Sequence, residues 1–92
     1  MEIYQLRTFL AVARCQHLTR ASEQLHISQP AVSKHIKALE EELGLKLFER
    51  TASGVFLTRS GRDILRLCRK YFSRLRPALS VDAIMLRVPQ RL

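Results

Sequence analysis

Cysteine is scarce in this chain, acidic residues are outnumbered by basic ones, and long uninterrupted apolar runs are missing. Of its 92 residues two are cysteine, Cys15 and Cys68. They fall in helical patterns far apart, and neither has a Cys or His at metal-ligand spacing, so no zinc site or disulfide framework is indicated. That usage points to a reducing, cytoplasmic compartment. No apolar run approaches the ~20 residues of a membrane span. Met1 to Leu10 interleaves Glu2, Gln5 and Arg7 with its apolar positions, as the core of a signal peptide does not. Internal repeats and low-complexity tracts are absent. His17, His26 and His35 are scattered, with no Asp or Ser around them in the pattern of a triad or metal site, so nothing supports an enzyme, a cofactor or a metal.

What is present is base. Sixteen Lys and Arg stand against eight Asp and Glu, a net charge of +8, and the isoelectric point is near 10.5. An acidic partner is implied. Nucleic acid is the first candidate, because each phosphate neutralised releases condensed counterions; an anionic membrane surface is the second. With 47% hydrophobic and 26% charged residues the chain has the composition of a folded domain. Its length supports one small core, burying about 60 to 65% of the surface that the unfolded chain exposes.

Ile3, Leu6, Phe9, Leu10 and Ala13 recur at helical spacing, so the chain opens with an amphipathic helix ending near Gln16. Thr19 is the expected N-cap of a short second helix through Leu25, in which the small Ala21 admits a close neighbour. After a brief turn at His26 and Ile27, Ser28 caps a third helix. Pro30 lies in its first turn, where a missing N–H costs nothing, and Ile27 with Val32 forms a hydrophobic staple. Val32, Ile36, Leu39 and Leu43 make its apolar stripe, and Gly44 supplies the left-handed residue that ends it, with Leu45 expected to fold back on Leu39. Leu47–Arg50 and Val55–Leu57 read as a hairpin around a four-residue turn, Thr51 to Gly54. Thr58 then caps a fourth helix, in which Ile64, Cys68, Tyr71 and Leu75 follow the spacing of a packing seam widened by Leu65 and Phe72. Pro77 is expected to kink or end it. Leu79, Ala83 and Leu86 give a weak helical pattern before Pro89.

Helix, short helix, tight turn, capped helix, hairpin, helix is the order of a mainly α winged helix-turn-helix, three helices plus a two-stranded wing, followed here by a long helix. The exposed face of the third helix carries Gln29, Pro30, Ser33, Lys34 and Lys37 in its N-terminal turns. Gln pairs bidentately with adenine, Lys reaches guanine acceptors, Ser contacts either, and a proline ring packs on a thymine methyl. Glu40, Glu41 and Glu42 occupy the opposite end, where the helix dipole disfavours them by about 0.3 to 1 kcal/mol each at exposed positions. Pairing with Lys46, Arg50 or Arg7 is the expected compensation; a solvated polar face is the alternative.

Leu6, Phe9, Leu18, Thr19, Ala21 and Leu25, then Ser28-Gln29-Pro30-Ala31-Val32-Ser33, Ile36, Leu39-Glu40, Leu43-Gly44, Leu47-Phe48-Glu49-Arg50, Leu57-Thr58 and Gly61 resemble the N-terminal domain of LysR-type transcriptional regulators. The resemblance runs from Met1 to about Arg76. It implies a cytoplasmic bacterial regulator that binds a partly palindromic promoter duplex as a dimer, or a tetramer in a full-length form. Residues 1–58 would be the DNA-reading unit, with the helix-turn-helix at about 18–37, residues 59–76 the linker and dimerisation helix, and 77–92 a divergent tail. By the same resemblance Gln29, Pro30, Ser33 and Lys34 contact bases, while Thr19, Arg20, Ser28 and Thr58 lie near phosphates, with Arg50 at the base of the wing. Lys37, from the exposed helix face, joins the phosphate set. Many relatives carry a cation at the wing tip, where this chain has Ala52, Ser53 and Gly54. The sensor domain of full-length relatives, which binds their small-molecule effector, has no counterpart in these residues.

Two alternatives stay open. Arg59 to Arg76 has a basic face beside an apolar seam, a pattern shared by membrane-surface and calmodulin-type helices, although its place after a hairpin favours dimerisation. The chain could also act chiefly as a dimerisation or interference module on full-length relatives. Both cysteines read as packing residues.

Overall fold

The computed structural model describes the backbone of residues 1–75 and the side chains of residues 1–70. The expectations for Pro77 and for 77–92 lie outside the described residues. In chain order the elements are α1 (Ile3–Cys15), α2 (Leu18–Leu25), α3 (Gln29–Leu43), β1 (Phe48–Thr51), β2 (Gly54–Leu57) and α4 (Arg59–Leu75).

Each helix boundary has a local cause. Gln5 Oε1 accepts from the Glu2 N–H at 3.0 Å at the start of α1. Gln16 ends that helix in the left-handed region, φ 56°. α2 begins earlier than a Thr19 cap allows: extended His17 is the N-cap, its Nδ1 accepting from the Arg20 N–H at 3.3 Å. The shift places Leu18 inside the first turn, where it is buried, and leaves the Thr19 hydroxyl without a capping duty. Ser28 Oγ accepts from the Ala31 N–H at 3.2 Å, and Pro30 lies in the first turn of α3, as its sequence requires. Gly44, φ 68°, ends α3, with the Leu45 N–H bonding back to the Glu40 carbonyl at 3.2 Å. Leu45 does not fold under: it stays 40% exposed while Leu39 is fully buried.

α1, α2 and α3 pack on one another around Phe9, Val12, Ala21, Val32 and Leu39, all fully buried. Ala21 has the close neighbours its size allows. Leu47 and Phe48 carry this core into the hairpin, the Phe48 ring lying 5.4 Å from that of Phe9. β1 and β2 are antiparallel, pairing Phe48 with Leu57 and Thr51 with Gly54, so the tip is the two residues Ala52 and Ser53 rather than a four-residue turn. The extra pair forms because Thr51 Oγ1 accepts from the Ser53 N–H at 3.2 Å and donates to the Gly54 carbonyl at 3.3 Å. Thr58 caps α4 as expected, its Oγ1 accepting from the Gly61 N–H at 3.0 Å. A Cβ on Gly61 would collide with the Leu47 carbonyl, so a glycine lets α4 cross the start of the hairpin.

The seam expected on α4 is partly used within the chain. Cys68 is 7% exposed in the chain's own core, and Ile64 and Leu65 pack against it partly buried. Leu67, outside the expected seam, is 48% exposed. Tyr71 and Phe72 lie on α4, and their side chains are outside the described residues.

Candidate nucleic-acid interface

α3 separates its two faces cleanly. Val32, Ile36 and Leu39 point into the core, while Gln29, Pro30, Lys34 and Lys37 are exposed and Ser33 is half-buried beside them. The cap at Ser28 fixes where this face starts, and the buried stripe fixes its rotation.

The wing stands next to that face. Arg50, exposed on β1, donates from Nη2 to Ser33 Oγ at 3.2 Å, tying the hairpin to the second turn of α3. Thr19, Gln29, Arg50, Ala52, Ser53 and Gly54 line one cleft, into which the first turns of both α2 and α3 open. N–H groups at helix starts favour anions. Arg20 is exposed one residue beyond Thr19, and Lys37 lies one turn along α3 from Lys34. Arg20, Lys34, Lys37 and Arg50 form no ion pair among the described residues, so their charge is available to a partner.

Among the expected phosphate contacts the hydroxyls divide by where their protons go. Ser28 Oγ accepts in its cap, which leaves its proton to donate outward. Thr58 has no such freedom: its hydroxyl donates to the Lys46 carbonyl and its N–H donates to the Leu47 carbonyl. Thr58 therefore joins the wing to α4 and has no donor left for a phosphate.

The acidic end of α3 is held by other groups than the cations expected. Glu40 Oε2 accepts from the Leu47 N–H at 2.7 Å and the Phe48 N–H at 3.4 Å, because the reversal at Gly44 brings the amides that lead into β1 beneath it. Glu42 pairs with the Met1 amino group at 2.6 Å. Arg50 turns to Ser33, away from the glutamates.

The histidines have structural places: His17 caps α2, and His26 ends it at φ 58°. The His35 Nδ1 lies 2.9 Å from Thr8 Oγ1, and its ring meets Tyr4 edge-on at 4.8 Å. Among the described residues no group of His, Cys, Asp and Glu is placed to hold a metal, neither cysteine is in a disulfide, and no helix is long and apolar enough to cross a membrane. Burial pushes the Cys68 thiol pKa up. The Arg50–Ser33 and Glu40–Leu47 bonds place the wing, and residue type alone gives no signal for either partner choice.

A capped, polar-faced helix held beside a two-stranded wing that bears Arg50 defines a winged helix-turn-helix DNA-binding domain. Residues 3–62 match the family described as bacterial regulatory helix-turn-helix protein, lysR family, and the chain belongs to that family. It is similar to the RuBisCO operon transcriptional regulator of Allochromatium vinosum, with 51% identity over 75% of this chain and 23% of that protein. It is also similar to the HTH-type transcriptional regulator BudR of Klebsiella aerogenes, with 56% identity over 66% of this chain and 43% of that one. The chain thus spans less than half the length of these curated regulators. Among solved structures, the BenM DNA-binding domain in complex with catB site 1 DNA superposes with a TM-score of 0.74 at 40% identity, over 82% of this chain and 84% of that one. The Corynebacterium glutamicum OxyR C206 mutant gives 0.75 at 36% identity, over 85% of this chain and 25% of that one. The relatives bear the names of regulators, not of enzymes.

Proposed function

We propose that this chain reads a specific promoter duplex as a homodimer in the bacterial cytoplasm, with residues 1–58 as the reading unit and 59–76 as the pairing helix. α3 enters the major groove, where Gln29, Pro30, Ser33 and Lys34 meet base edges. Thr19, Arg20, Ser28, Lys37 and Arg50 take phosphates. The observation that carries this reading is the exposed face of α3 from Gln29 to Lys37, set beside Arg50 with its cations unpaired. The BenM domain, solved with DNA, supports the same docking by its similarity.

The wing tip, Ala52-Ser53-Gly54, carries no cation, so it contributes van der Waals and backbone contact rather than charge in the minor groove. Dimerisation runs along α4 through Leu67 and the apolar stripe that the sequence continues at Tyr71, Phe72 and Leu75. Because Ile64, Leu65 and Cys68 already pack on their own core in part, they brace α4 more than they meet a partner.

Binding of random-sequence duplexes followed by sequencing, with gel shifts over a salt series, tests the reading. Enrichment of a two-half-site sequence whose affinity falls steeply with salt is expected. A dimer that enriches nothing would contradict it and leave pairing with other family members as the function.

A further inference from the structure

The hydroxyl of Ser33 differs from those of Thr8 and Ser22, the buried helix hydroxyls. Thr8 donates its proton to the Tyr4 carbonyl at 3.0 Å, and Ser22 donates to the Thr19 carbonyl at 2.7 Å. Ser33 makes no such bond back to its own helix among the described residues; its Oγ instead accepts from the Arg50 guanidinium at 3.2 Å. The oxygen is therefore engaged by a cation while the proton remains to be given. A second donor approaching the oxygen's remaining lone pair would bring a partly positive hydrogen up to the guanidinium, so the acceptor role is disfavoured electrostatically.

We propose that Arg50 is a positioning residue that fixes Ser33 as a donor in the major groove, so that Ser33 reads an acceptor edge and rejects the amino edge of cytosine. Acceptors there are purine N7, guanine O6 and thymine O4, whereas cytosine offers only its N4 amino donor. The inference rests on the duplex-reading function and sharpens it: a serine, which by itself tolerates either edge, gains polarity from a residue on the wing. Arg50 can serve a phosphate at the same time, since its guanidinium has five N–H donors and Ser33 engages one. The wing would then influence base choice without a cation at its tip.

The test starts from the sequence that the intact chain selects and measures affinities for every single-base variant with wild type, Ser33→Ala and Arg50→Met, all checked for native circular dichroism. One position per half-site is expected at which Ser33→Ala flattens the base order. There wild type should rank cytosine last, on the order of tenfold below the best base, and Arg50→Met should raise cytosine relative to the others while weakening every sequence. The proposal is overturned if no position depends on Ser33, if cytosine is preferred at that position, or if Arg50→Met weakens all sequences equally with the base order intact. Failure of the selection to enrich any sequence would instead remove the duplex-reading function, and this inference with it.

Discussion

The N–H of Val55, on the wing, donates to the carbonyl of Gln16, in the turn between α1 and α2, at 3.1 Å. This backbone bond holds β2 against the start of the helix-turn-helix, and it requires Gly54. A Cβ on Gly54 would lie 2.6 Å from the same Gln16 oxygen, and φ there is +144°, a region L side chains rarely adopt.

Gly54→Ala is therefore expected to destabilise the fold by about 1 to 3 kcal/mol. Thermal unfolding followed by circular dichroism reads this as a drop in Tm of about 4 to 8 °C per kcal/mol for a domain of this size. An unchanged Tm would mean that the wing is not fastened at this point.

Glu40 supports the other end of the hairpin. Glu40→Ala leaves the part-buried Leu47 N–H without its acceptor, at an expected cost of about 1 to 3 kcal/mol in denaturant unfolding. Glu40→Gln keeps an acceptor oxygen and should recover much of that loss. Equal loss in both variants would show that the charge, and not the hydrogen bond, matters.

Lys34 and Lys37 should separate by their effect on sequence. Lys34→Ala is expected to lower specific affinity by about 1 to 3 kcal/mol and relax preference at one position. Lys37→Ala should weaken all sequences alike and reduce the magnitude of the salt slope by about one. Gel shifts against single-base variants at several salt concentrations distinguish the two.

Cys68 tests the packing of α4. Its thiol pKa is raised by burial, so the folded state favours the protonated form. The stability this contributes is fully present below the unfolded-state value of about 8.5 and is lost as pH rises from there through the folded value. In a Cys15→Ser background, alkylation of Cys68 should be several-fold slower in the native chain than in urea. Equal rates would place Cys68 outside the core.

Much of this fold was legible because its signals are local. Ser28, Pro30 and Gly44 set the ends of α3, and the Val32–Ile36–Leu39 stripe sets its inward face, so the outward position of Gln29 and Lys34 followed from short-range pattern alone. Thr19 has the residue type of a usual N-cap, but His17 supplies an equivalent acceptor from its ring two residues earlier, which residue type does not signal. The hairpin tip is shorter than the sequence suggests because the side-chain bonds of Thr51 add a pair that composition does not reveal. Partners distant in sequence were the least legible. Arg50 had several possible counterions, and only the three-dimensional path of β1 brings it to Ser33 and away from Glu40. The seam on α4 was visible as a period, but a period does not say whether its apolar groups meet another chain or, as with Cys68, their own core.

Selection of bound duplexes by the wild-type chain, repeated with a Gln29→Ala, Lys34→Ala double variant, tests the central claim most directly. The account predicts that wild type enriches an inverted repeat with half-sites about 10 to 10.5 base pairs apart centre to centre, or a multiple of that spacing, and that the double variant loses this enrichment while keeping its fold and its weak binding to any duplex. Enrichment of the same sequence with undiminished affinity by the double variant would contradict it.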